Sequence, residues 1–164
     1  MEEHEEAIKK VDLEKILEKA IKRGASYADA RFQCQDNELI TIEKETLESY
    51  SSRNLTGVGI RVSVKEAIGF ASTSDLTPKN LNRTLENSIK AAKAIKGEKQ
   101  AFKDKVSKGK FKSPVKIDPI DVSPEEKVSL ALDANKAALV NDKIKSATTR
   151  LGLSKDFRLF MSSE

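Results

Sequence analysis

The residues able to do chemistry are few in this 164-residue chain: one histidine, His4, and one cysteine, Cys34. A closed zinc site draws on several imidazoles or thiolates, so these two exclude one. Serine and cysteine nucleophiles need a positioned imidazole, and His4 lies in a Glu- and Lys-rich N-terminal tail with no apolar stripe to anchor it. Cys34 reads as a small buried strand residue, because no His or helix N-terminus is implied beside it. Glu43, Glu45 and Glu48 fall on strand positions and read as a solvated face, so no acid/base pair is assigned. No catalytic residue and no metal ligand is expected in this chain.

Gly57-Val58-Gly59 looks like the start of a dinucleotide loop, but Val62 stands where a third glycine belongs and β-branched residues follow instead of a helix. Two glycines at i and i+2 instead leave one face of a strand without side chains, which lets a helix or a second backbone approach closely. Arg61 continues that face, and Ser72 and Thr73 sit on the next strand. Gly57, Gly59, Arg61, Ser72 and Thr73 are therefore the candidate surface for an extended peptide or a partner. The competing reading is that this face packs against a helix.

The positioning elements follow from periodicity. Leu13, Ile16, Leu17, Ala20 and Ile21 recur at helical spacing between the N-cap candidate Asp12 and Gly24. Alternating segments follow at 27–34, 39–42, 47–50, 58–64 and 67–71, with Lys65-Glu66 able to turn the chain. Thr77-Pro78 opens a second helix carrying Leu81, Leu85, Ile89, Ala92 and Ile95, which Gly97 ends. Ser123-Pro124 opens a third, reaching about Val140 and burying Val128, Ala131, Leu132, Asn135 or Ala138, and Leu139. Ile144 to Ser154 and Phe157 to Ser162 read as two more strands joined near Lys155-Asp156. The expected fold is α+β, a mostly antiparallel sheet with about three helices packed on it.

Length fits a single domain over 1–164, able to bury roughly two thirds of its unfolded surface. Charged residues make up 34% and hydrophobic ones 38%, polar but too well patterned for disorder. Ten lysines from Lys90 to Lys116 face only Glu98 and Asp104, so the net charge of +4 is local and the rest of the chain is net acidic. That disfavours a globally basic nucleic-acid binder. Residues 98–116 read as a mobile Lys-rich linker, and Phe102-Lys103 and Lys110-Phe111-Lys112 keep a nucleic-acid interaction module as the alternative. No apolar signal segment appears and no disulfide is possible, so the cytoplasm is expected and a membrane is not. Ending on an apolar strand at Glu164 reads as a cut, leaving an open edge through which the chain associates.

The run Arg23-Gly24-Ala25-Ser26-Tyr27-Ala28-Asp29-Ala30-Arg31-Phe32 resembles the first helix-to-strand passage of the TldD/PmbA family, the modulators of DNA gyrase. Gly57-Val58-Gly59-Ile60-Arg61-Val62, followed by Ala67-Ile68-Gly69-Phe70-Ala71-Ser72-Thr73-Ser74-Asp75-Leu76, is similar to that family's most recognisable N-terminal stretch. Ser123-Pro124-Glu125-Glu126-Lys127 and Met161-Ser162-Ser163-Glu164 are further matches in order. The resemblance implies the N-terminal, non-catalytic domain of a longer zinc peptidase subunit. This chain would help enclose a polypeptide substrate and pair with a TldD/PmbA-type partner subunit, as a hetero- or homodimer. The metal motif and its zinc would lie in a C-terminal domain absent here, so no cofactor is expected in this chain and it would not hydrolyse peptides alone. The two branches differ in that missing motif. The run from Tyr27 to Phe32 leans to the TldD branch.

Overall fold

The computed structural model describes residues 11–95 and 108–164. His4, Gly97 and four of the ten lysines of the strip, Lys96, Lys99, Lys103 and Lys105, lie outside the described residues, as does residue 102. The order is α1 (Leu13–Lys22), β1 (Tyr27–Glu43), β2 (Thr46–Val64), β3 (Ala67–Thr73), α2 (Pro78–Ala94), a short 3-10 turn (Pro119–Asp121), α3 (Pro124–Ala138) and β4 (Thr148–Ser162). The four strands form one antiparallel sheet in the order β3-β2-β1-β4, so the chain has the expected α+β arrangement of three helices and a sheet. Among the described residues no helix is long and apolar enough to cross a membrane.

The strands are fewer and longer than the sequence suggests. Segments 27–34 and 39–42 merge into the 17-residue β1, and 47–50 and 58–64 into the 19-residue β2. Ile144 to Ser154 and Phe157 to Ser162 are likewise not two strands. Lys155-Asp156 continues β4 without a turn, which starts at Thr148. The polar runs taken for breaks remain extended because neighbouring strands satisfy the backbone, whatever the side chains prefer.

Both tight connections are two-residue turns in the left-handed region: Lys44 and Glu45 at φ 48° and 60°, Lys65 and Glu66 at φ 51° and 66°. That conformation matches the twist of paired strands, although a non-glycine residue costs about 1 kcal/mol or more there.

Each helix starts where its cap predicts. Asp12 Oδ1 accepts from Lys15 N at 2.9 Å, and Thr77 and Ser123 hydroxyls accept from Asn80 N and Glu126 N at 3.4 and 3.2 Å, each ahead of a proline. Gly24, at φ 91°, closes α1 by donating to Ile21 O. The end of α2 is at Ala94, earlier than Gly97.

The fold divides into two compact units. The first comprises Met1–Cys34, Leu55–Gly109 and Phe157–Glu164. Its core joins Leu13, Ile16, Leu17 and Ala20 of α1 and Leu81, Leu85, Ile89 and Ala92 of α2 to one face of the strands: Ala28, Ala30, Phe32 and Cys34 of β1, and Val58, Ile60, Val62 and Val64 of β2. Each large apolar side chain so buried contributes about 1.5–3 kcal/mol. Lys19–Asn82 and Arg23–Glu86 contacts tie α1 to α2.

The second unit comprises Gln35–Asn54 and Lys110–Asp156. Its smaller core gathers Ile40, Ile42 and Ala131 with half-buried Val128, Leu132 and Leu151. Along α3 the most buried positions are Lys127, Ala131 and Asn135, while Ala138 is exposed. Lys127 tolerates 5% exposure because its ammonium donates to Glu38 Oε2 at 2.8 Å, an oxygen that also accepts from Tyr50 OH at 3.2 Å.

Candidate functional site

In the first unit the glycine face of β2 lies opposite the helices. β2 pairs with β3 so that Gly59 faces Ser72 and Arg61 faces Phe70. Residues directly opposite in an antiparallel pair share a face, so Gly57, Gly59, Arg61, Phe70 and Ser72 form one surface. Thr73 pairs with Val58, a core residue, and points to the other side. Its hydroxyl is engaged at the start of α2, accepting from Asp75 N at 3.1 Å. Four of the five expected contact residues are thus brought together, and Thr73 is not.

Phe70, 61% exposed, supplies what the glycines lack. A side chain added at Gly59 would meet the Phe70 ring at 3.0 and 3.2 Å, so the ring lies over this gap. At Gly57 an added Cβ would meet backbone instead, Thr73 O at 2.9 Å. The helix that the sequence allowed over this face packs elsewhere. α2 lies on β3 at Gly69, where a Cβ would stand 2.0 Å from Ser88 O and 2.4 Å from Ala92 N. Gly69 was overlooked because a single glycine in a strand carries no pattern. The signal was the small-residue pair it faces, Ser88 and Ala92, one helical turn apart.

Arg61 does not stand free on the surface. Its Nε and Nη2 both donate to Asp29 Oδ2, at 2.7 and 2.6 Å, and Asp29 is 5% exposed. Burial works against the guanidinium charge, but the hydrogen bond and charge of Asp29 outweigh it and hold Arg61 above its ordinary pKa. The phenol of Tyr27 joins the same cluster. Burial first, then the Asp29 charge and hydrogen bond, push its pKa up. Asp29 and Tyr27 were legible only as outward-facing members of an alternating strand, so their burial was not expected. Further along β1, Arg31 stacks on Phe160 of β4, its guanidinium carbon 5.7 Å from the ring centroid.

The surface therefore combines side-chain-free backbone, one exposed aromatic ring and a guanidinium fixed by a buried carboxylate. Such a surface has the shape and the hydrogen-bonding groups to take an extended chain. β2 lies between β3 and β1, so its own main chain is already paired. A peptide on Gly57 and Gly59 would cross the face, and main-chain pairing on this side would fall to β3.

Comparison with known proteins places this arrangement. Residues 28–92 match the family described as PmbA/TldA metallopeptidase domain 1. Metalloprotease MJ0996 of Methanocaldococcus jannaschii is 32% identical over 158 residues, covering 94% of this chain and 34% of that protein. Among solved structures, a protein described as a modulator of DNA gyrase from Bacteroides thetaiotaomicron superposes with a TM-score of 0.78 at 19% identity, over 92% of this chain and 36% of the other. TldE from Thermococcus kodakarensis gives 0.73 at 19% identity, over 92% and 34%. Those two likenesses establish the fold. The chain spans about a third of the length of the proteins it matches. Through residues 28–92 the chain matches the first domain of the TldD/PmbA family.

Proposed function

We propose that this chain serves as the non-catalytic first domain of a TldD/PmbA-type metallopeptidase subunit, where it helps enclose a polypeptide substrate and pair subunits. The observation that carries the reading is the alignment of 94% of the chain with about a third of a protein named a metalloprotease. A cytoplasmic setting and a partner subunit of the same family belong to this reading. In this reading the zinc belongs to the rest of the longer protein; among the described residues no three His, Cys, Asp or Glu side chains come together. No hydrolytic step is assigned to these residues.

Within that assembly the exposed face of Gly57, Gly59, Arg61, Phe70 and Ser72 is the surface we assign to the extended substrate. Shape and backbone hydrogen bonding give sequence-tolerant affinity, which suits varied unfolded segments. The test is Gly59→Val in the metal-loaded protein that carries this domain. Its side chain would push the Phe70 ring aside and fill the gap. An unchanged melting temperature with lost peptide hydrolysis supports the surface; a lowered melting temperature with hydrolysis retained in the cold overturns it.

A further inference from the structure

Arg31 and Arg61 share the outer face of the sheet in the first unit, and the two guanidinium groups have one carboxylate between them. Asp29 and Cys34 on β1, and Thr56 and Arg61 on β2, stand five positions apart. The Arg61–Asp29 and Thr56–Cys34 contacts, at 2.7 and 3.1 Å, therefore fit one antiparallel register, in which Gly59 lies beside Arg31. On the other side of β1, Ser163 N donates to Ala28 O at 2.9 Å, which sets Phe160 opposite Arg31. The Phe70 ring, the gap at Gly59, Arg31 and Phe160 thus follow one another across the four strands, all within the first unit.

The carboxylate is already used. Asp29 Oδ2 takes both Nε and Nη2 of Arg61, and the Tyr27 phenol donates to Asp29 as well. Arg31 is exposed, and among the described residues its guanidinium has no ion pair and no hydrogen-bond acceptor. It is held all the same, because its guanidinium carbon lies over the Phe160 ring, 5.7 Å from the centroid. A guanidinium laid on a ring keeps its N–H edge for other partners. That edge fits a carboxylate through two parallel hydrogen bonds. Across positions 27–33, 57–63, 68–72 and 158–162 the outward row carries Arg31, Arg61 and Arg158 against Asp29 alone, a balance that attracts an acidic ligand.

We infer that Arg31, seated on Phe160, takes a carboxylate of the polypeptide lying over Gly59, so that this face prefers acidic segments. The inference rests on the peptide surface proposed above and adds a side-chain preference to it. Neighbouring strands stand about 5 Å apart, so a chain crossing the face brings to Arg31 a residue one or two places from the one over Gly59. The carboxylate comes from an Asp or Glu side chain or from the C-terminus of the segment, since both present the same pair of oxygens.

Hydrolysis by the metal-loaded protein that carries this domain tests it. The probes are a short unstructured peptide holding a single Glu, moved through each position in turn, its Gln counterparts, and the Gln peptides with free and with amidated C-termini. The readout is the ratio of kcat/KM within each pair, which a general loss of fold or metal does not move. Wild type is expected to favour the carboxylate in at least one pair by roughly tenfold, mainly through KM. Arg31→Gln is expected to bring that ratio close to one, and Phe160→Leu, which removes the ring face, to lower it in part. Discrimination in a Glu pair identifies a side chain as the source, and discrimination by the free terminus identifies the C-terminus. Ratios near one throughout in wild type, or a ratio that survives Arg31→Gln, would overturn the inference. Gly59→Val separates that failure from failure of the surface itself. It lowers both members of every pair if the peptide lies over Gly59; if both stay unchanged, the surface and the inference fall together.

Discussion

Asn135, fully buried on α3, accepts a hydrogen bond from the backbone N–H of Glu45 through its Oδ1 at 2.9 Å. Its Nδ2 donates to Ala147 O at 3.0 Å, to Ile42 O at 3.4 Å and to Thr149 Oγ1 at 3.2 Å. One amide thus ties the β1–β2 turn, where Lys44 and Glu45 hold positive φ, to the residues that enter β4.

Asn135→Leu is similar in volume but satisfies none of these groups. Each buried donor or acceptor left without a partner costs about 1–3 kcal/mol. A loss of about 2–5 kcal/mol in urea unfolding is expected. A change below about 1 kcal/mol would mean that solvent reaches the turn and satisfies it.

Asn135 also shows where sequence reading reached its limit. The cap-then-proline signals at Thr77-Pro78 and Ser123-Pro124 located two helices, because a cap is a local event with its own residue types. Val58, Ile60, Val62 and Val64 announced the core face of β2 for the same reason. Asn135 entered only as one option for a helix stripe, since nothing local says that its amide will meet backbone groups of two separate segments. Buried Lys127 and Asp29 were missed alike: each is buried with a partner of opposite charge, Glu38 or Arg61, that is distant in sequence. The glycine surface was legible in part, because Gly57, Gly59 and Arg61 share one strand's alternation. The position of Thr73 depended on its register with Val58, which the hairpin sets and the sequence of β3 alone does not.

Gly69 and Gly59 give opposite expectations for the same substitution. At Gly69 a methyl group meets the backbone of α2, which cannot yield without moving the helix off β3. Gly69→Ala is expected to cost about 3 kcal/mol or more. At Gly59 the methyl group meets only the Phe70 ring, whose exposure leaves it room to rotate away. Gly59→Ala is expected to change stability by less than about 1 kcal/mol, with the lost backbone freedom of the unfolded chain offsetting the displaced ring. Thermal melts of the two single variants measure the contrast, and equal losses would mean that Phe70 is held as firmly as α2.

The cluster of Tyr27, Asp29 and Arg61 should reveal itself in alkali. Tyr27 is 9% exposed, and its phenol is pushed above the ordinary value of 10.0 by burial and then by the Asp29 carboxylate. A phenol that holds its proton longer in the folded state than in the unfolded one stabilises the fold fully below the unfolded pKa. As pH rises past about 10, the unfolded chain releases the proton first and stability falls, until the folded pKa is passed as well. Tyr50 adds to the same slope, its phenol raised by burial and then by Glu38. Tyr27→Phe is therefore expected to be the less stable protein near neutrality, by about 1 kcal/mol for the lost phenol hydrogen bond. It should also lose stability more gently between about pH 9 and pH 11, so that the gap from wild type narrows. Urea unfolding of wild type, Tyr27→Phe and Tyr50→Phe across that range separates the two phenols. A constant gap for Tyr27→Phe would mean that Tyr27 titrates alike in both states and that Asp29 directs its charge to Arg61 alone.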